Sequence, residues 1–159
     1  MSVAGLYVHV PFRRARRSYD DSDYVVAAQP NVGRYVTALR RELRSYVRPH
    51  AAEEPITTLY VGGGRPSLLS LSTVRSIVLT LQEVIDTSAL EEVTVEVSPA
   101  DASPRLLGTL RQLGVDRLSL PVLSFSPAVL DAVRAPHSAD DARRALDAAR
   151  RAGVTTYSV

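Results

Sequence analysis

Five short runs of β-branched and aliphatic residues alternate with stretches whose apolar positions recur every three to four residues, and this alternation is what most restricts the fold. The runs are 6–10 (LYVHV), 56–61, 92–97, a segment within 115–122, and 155–159. Between the first two, Val32, Tyr35, Val36, Leu39, Leu43, Tyr46 and Val47 form one helical stripe, with Arg40, Arg41 and Arg44 mostly opposite it. Strand, helix, strand in repetition implies parallel strands joined by right-handed crossovers. The expected fold is therefore α/β, with about five parallel strands and alternating helices, as a partial parallel β/α barrel or an open sheet. The 159 residues read as a single domain, 1–159, with no low-complexity segment or internal boundary. A whole barrel takes about 250 residues, so roughly half of one is expected. Such a half has unpaired strand edges, which favour self-association or another protein covering them.

Local signals place the element ends. Asn31 is expected to cap the first helix, and Pro49 with the alanine-rich acidic stretch after it to end it. Ser72 is read as the cap of the helix carrying Val74, Ile77, Leu81 and Val84, and Ser103 with Pro104 as the start of the next. Ser138 with Asp141 has the spacing of a capping box. Residues 21–31 are read as an irregular connection. The first run, nearly continuous in apolar residues, suits a strand buried on both faces, with Tyr7 and His9 on one side and Leu6, Val8 and Val10 on the other.

Composition narrows the function. The chain contains no cysteine, and its formal net charge is only +2. Its basic residues are all arginine and are mostly dispersed over helices, which argues against a nucleic-acid partner. No run approaches the ~20 apolar residues needed to span a bilayer, and a cytoplasmic location is the expectation.

Chemistry is expected at the C-terminal ends of the strands. The first strand empties into Arg13, Arg14, Arg16 and Arg17, which read either as an anion-binding loop or as a solvated one. The second runs into Gly62, Gly63 and Gly64, which suit either a ligand approaching bare backbone or a tight strand-to-helix turn. Glu96 stands at the end of the third strand. His9, His50 and His137 are the only histidines: His9 is read as a hydrogen-bonded core residue, His50 as a loop residue and His137 as part of a capping turn.

The stretch LYVHVPF resembles the opening of the radical S-adenosylmethionine proteins related to oxygen-independent coproporphyrinogen III oxidase, within them the haem-chaperone branch. Three cysteines spaced C-x3-C-x2-C follow that opening in the family; here those positions hold Arg13, Arg17 and Asp20, while Tyr19 and Asp21 match. GGGRPSLLS is similar to the family's GGGTPSLLS, with Arg65 in place of threonine. GVDRLSLPVLSF resembles GVNRLSIGVQSF, with Pro121 in place of glycine and Leu123 in place of glutamine. Ser98 takes the place of asparagine in the family's E-x-N-P, and Ala135 that of an arginine.

The resemblance implies that Tyr7, Gly62, Gly63, Gly64 and Glu96 stand where the family binds S-adenosylmethionine. It also implies a place for a 4Fe-4S cluster, which needs soft thiolate ligands that this chain alone cannot supply. Radical catalysis by the chain alone is therefore expected to be absent. Arg65 is expected to bring a charge to the cofactor site. The expected function is a cluster-less, non-catalytic relative of the haem chaperone that binds haem or a porphyrin, with Arg13, Arg14, Arg16 and Arg17 pairing with propionates. The alternatives are a module binding S-adenosylmethionine or another anion, and a protein-interaction or decayed fragment.

Overall fold

The computed structural model describes residues 4–16, 23–27, 31–154 and 156–159. Five parallel strands, β1 (Ala4–Val10), β4 (Ile56–Gly63), β5 (Glu92–Glu96), β6 (Arg117–Ser119) and β7 (Thr156–Ser158), lie side by side in chain order. A second, two-residue parallel pair, β2 (Phe12–Arg13) with β3 (Val25–Val26), folds back after β1. Part of the connection expected to be irregular thus forms a strand. The reason is local: the Val25 amide donates to the Pro11 carbonyl at 2.6 Å and the Ala27 amide to the Arg13 carbonyl at 3.1 Å.

The helices α1 (Val32–Glu42), α3 (Leu71–Val84), α4 (Pro104–Gln112) and α6 (Ala139–Arg151) cover one face of the sheet. Val36 of α1 and Ile77 and Leu81 of α3 pack on Val8, Val10 and Leu59, while Leu107, Leu110, Ala145 and Ala149 of α4 and α6 pack on Val95 and Leu118. Burying helices on one face only is the arrangement of a barrel, not of a doubly wound sheet.

The opposite face is polar and carries none of these four helices. Register places Tyr7, Tyr60, Thr94 and Arg117 in one row across it. The expectation that β1 is buried on both faces is corrected here: Val8 and Val10 are 2% and 0% exposed, but Tyr7 is 54% exposed. A run such as LYVHV reads as continuously apolar only if tyrosine and histidine are counted with the hydrocarbons, and their polar ends serve the open face.

Pro49 does not end the first helix. A five-residue π turn, Leu43–Val47, separates α1 from α2 (Arg48–Glu53), and helical backbone continues through Pro49. The Arg48 amide bonds to the Leu43 carbonyl, five residues back, and this shift of ladder just before the ring accommodates a residue with no N–H. His50 consequently sits in the last turn of α2 and not in a loop, with Nδ1 at 2.7 Å from the Tyr46 carbonyl.

Two caps are where the sequence puts them, since Asn31 and Ser103 accept from Arg34 and Leu106 amides. The cap of α3 is Ser70, two residues before the expected Ser72; its hydroxyl takes the Thr73 amide. The short helix α5 (Pro127–Ala132) follows Ser126, whose side chain makes no cap bond.

The capping box of α6 supplies a pH-dependent prediction. Ser138 Oγ accepts the Asp141 amide at 3.0 Å, and Asp141 accepts from the Ser138 amide at 2.8 Å. The Ser138 backbone and hydroxyl bonds, then the Arg144 charge, hold the Asp141 carboxyl below its ordinary value of 3.8. A carboxylate whose pKa is lowered by folding adds stability above that ordinary value and loses it as pH falls through the folded pKa. Ser138→Ala is expected to cost about 1 kcal/mol at neutral pH. Urea titrations should show that cost shrinking once pH drops below 3.8; an unchanged cost there would remove Asp141 from the account.

Candidate functional site

At the C-terminal end of the sheet, β1, β4 and β5 bring Tyr7, His9, the three glycines and Glu96 together, as alternation within each strand requires. The Tyr7 ring stacks on Tyr60 with centroids 5.6 Å apart, and its hydroxyl lies 3.4 Å from His9 Nδ1. His9 Nε2 lies 2.6 Å from the Asp23 carbonyl, which can only accept. Nε2 therefore carries a proton, and Nδ1 of the neutral ring is the atom able to accept from Tyr7. Partial burial, then the charges of Glu96 and Tyr60, push the Tyr7 phenol above its ordinary 10.0. Tyr35 on α1 donates to the His9 carbonyl at 2.8 Å and holds the end of β1; burial, then Glu42, pushes this phenol up to about 12.

The glycine turn is packed against the chain's own atoms. Gly63 has φ +107°, and a Cβ there would lie 2.5 Å from the His9 ring. A Cβ on Gly64 would lie 2.6 Å from the Phe12 carbonyl oxygen. The backbone groups are engaged as well: the Gly63 amide donates to Glu96 at 3.2 Å, the Gly64 amide to the Val10 carbonyl at 2.7 Å, and Arg13 Nη2 to the Gly63 carbonyl at 3.3 Å. These contacts account for Gly63 and Gly64 as a tight junction between β1, β2 and β4.

Arg65 does not bring an open charge to the site, contrary to the expectation. Its Nε and Nη2 donate to the two oxygens of Asp101, each at 2.6 Å, and Ser67 Oγ adds a third bond at 2.5 Å. Both partners are largely withdrawn from water, with side chains 18% and 25% exposed. Asp101 follows β5 in a single turn of 3-10 helix, Pro99–Asp101. No periodicity marks it in the sequence, which is why it escapes sequence reasoning; Tyr60, two positions before Gly62 on a strand of period 2, could have been found.

Of the arginine loop, Arg13 is half-buried, with its guanidinium 5.0 Å from the centre of the Tyr24 ring. Arg14 and Arg16 are exposed. Arg17, Asp20, Tyr19 and Asp21 lie outside the described residues. His137 is 5% exposed and engages both ring nitrogens, Nε2 accepting the Leu123 amide at 3.3 Å and Nδ1 facing the Ser138 carbonyl at 3.1 Å. Among the described residues no cluster of three or more His, Cys, Asp or Glu could hold a metal ion. The donor set does not fit an iron–sulfur cluster: the chain has no thiol, and Arg13, a permanent cation without an acceptor lone pair, stands at the first ligand position. No helix among the described residues is long and apolar enough to cross a membrane.

Comparison with known proteins places these features in a family. The Radical SAM superfamily model matches residues 18–159. The heme chaperone HemW of Lactococcus lactis subsp. lactis is 29% identical over 153 residues, covering 96% of this chain and 39% of that protein. The mitochondrial radical S-adenosyl methionine domain-containing protein 1 of Mus musculus is 33% identical over 147 residues, 92% of this chain and 33% of that protein. Among solved structures, the coproporphyrinogen III oxidase HemN of Escherichia coli, described as a radical SAM enzyme, superposes with a TM-score of 0.86 at 27% identity, over 98% of this chain and 36% of that one. The chain thus spans about two fifths or less of the length of these relatives.

Proposed function

Since the chain belongs to the radical S-adenosylmethionine superfamily, in the haem-chaperone branch related to coproporphyrinogen III oxidase, we propose that it is a cluster-less, non-catalytic relative that binds the carboxylates of haem or a porphyrin. One observation carries the reading: the loop that would hold the cluster offers arginine in place of thiolate. Arg13 is fixed against the Gly63 carbonyl at the mouth of the sheet, in a chain with no cysteine. Guanidinium recognises carboxylate through paired, charge-assisted hydrogen bonds, so the substitution exchanges a metal-binding loop for an anion-binding one. The Gly63 amide and carbonyl and the Gly64 amide, already bonded within the chain, favour this ligand class over S-adenosylmethionine.

A second reading, a protein-interaction module, is favoured by the uncovered sheet face, where Tyr7 remains 54% exposed. Titration separates the two. Haemin is expected to give a saturable Soret shift that weakens by about tenfold or more in Arg13→Ala/Arg17→Ala, the scale of a lost charged hydrogen bond, with His9→Ala reporting any contribution to iron. Heat from S-adenosylmethionine and none from haemin would move the reading to the cofactor. Silence from both would leave the interaction module.

A further inference from the structure

Five of the positions at which the chain departs from the family pattern it resembles, Arg13, Arg65, Ser98, Pro121 and Leu123, line one small pocket. Arg14, Glu96 and Pro136 complete its working surface, and its volume is about 100 Å³. That is room for about three water molecules at liquid density, or for one short acid group.

The chemistry of the lining is specific. Ser98 is 7% exposed, and its hydroxyl is buried without a hydrogen-bond partner among the described residues. Buried polar groups in native proteins are almost always satisfied, so an orphan hydroxyl on a residue that lines a cavity is a reason to look for a ligand there. Arg14 is exposed and makes no hydrogen bond or ion pair among the described residues. Arg13 and Arg65 are already fixed, the first on the Gly63 carbonyl and the second on Asp101, so Arg13 adds a held cation to the wall and Arg65 a neutralised one. Glu96 is the acidic part of the lining, and it accepts the Gly63 amide. Pro66, Pro121, Leu123 and Pro136 supply the apolar part of the lining.

We infer that this pocket binds a single carboxylate, whose oxygens accept from Ser98 Oγ and from the Arg14 guanidinium. The carboxylate belongs either to a free short-chain acid or to a propionate-like arm of a larger molecule. The second source rests on the haem-binding reading above; the first does not.

Propionate, inorganic phosphate and haemin, each titrated into the whole chain by calorimetry with matched sodium chloride as blank, test the inference alongside Ser98→Ala and Arg14→Gln. Propionate is expected to bind saturably and roughly tenfold more weakly in each variant. Ser98→Ala should melt no lower than the parent without ligand, because the hydroxyl it removes has no partner to lose. Propionate binding without haemin binding would keep the pocket and sink the haem reading. Haemin binding unchanged by Ser98→Ala, with no response to propionate, would do the reverse. Phosphate binding in place of propionate, binding that survives both variants, or a lower melting temperature for free Ser98→Ala would each overturn the carboxylate assignment.

Discussion

Gly64→Ala should destabilise the chain by roughly 3 kcal/mol or more, the upper range of overpacking a site that cannot yield. The added methyl would lie 2.6 Å from the Phe12 carbonyl oxygen, 2.9 Å from the Phe12 nitrogen and 2.9 Å from the Val10 carbonyl oxygen. All three are backbone atoms, so no side chain can swing aside. Relief requires both Phe12 of β2 and the end of β1 to move away from Gly64, which strains the 2.7 Å bond from the Gly64 amide to Val10. Gly108→Ala is the control of opposite sign. Gly108 lies inside α4 with nothing within 4 Å of an added Cβ, so alanine should stabilise by about 0.5–1 kcal/mol through helix propensity. Urea midpoints at constant slope report both. Equal midpoints for Gly64→Ala and the parent would mean that the triple-glycine turn answers to a ligand and not to packing.

That contrast bears on what the sequence can reveal. The alternation of parallel strands with helices and the caps at Asn31, Ser103 and Ser138 were legible because each rests on a local rule: period 2, period 3.6, or a side-chain oxygen three residues before an orphan amide. Ser70 was missed in favour of Ser72 because both serines precede the apolar stripe and only the backbone decides which one lies outside the helix. Pro49 misled because a proline reads as a stop unless the ladder slips by one, and the slip at Leu43–Val47 leaves no residue signature. The site divides in the same way. Tyr7, Gly62, Gly63, Gly64 and Glu96 converge as parallel register demands, since the three strands they end are neighbours. The engagement of Arg65 by Asp101, separated by 36 residues, depends on how two loops meet, and no spacing rule encodes it.

Asp101→Ala should therefore have the second-largest effect, about 2 kcal/mol. Removing one partner of a fully buried pair costs about 3–5 kcal/mol because the other charge is left without compensation. The residual exposure of Arg65 and Asp101, 18% and 25%, lets water screen part of that loss. The loss exceeds that of an ordinary surface pair because the geometry is bidentate and Ser67 shares the same carboxylate. Arg65→Thr/Asp101→Ala removes both charges and should be more stable than the two single losses predict, with a coupling energy of about 1–2 kcal/mol. The bridge also ties the turn after β4 to the loop after β5, and Gly64, Arg65 and Ser98 share the wall of the small pocket between them. Asp101→Ala should consequently loosen that pocket and weaken propionate, whereas the double variant should recover stability without recovering the ligand. Additive stability losses in the cycle would show that Arg65 finds another partner and that the pocket is held by the prolines alone.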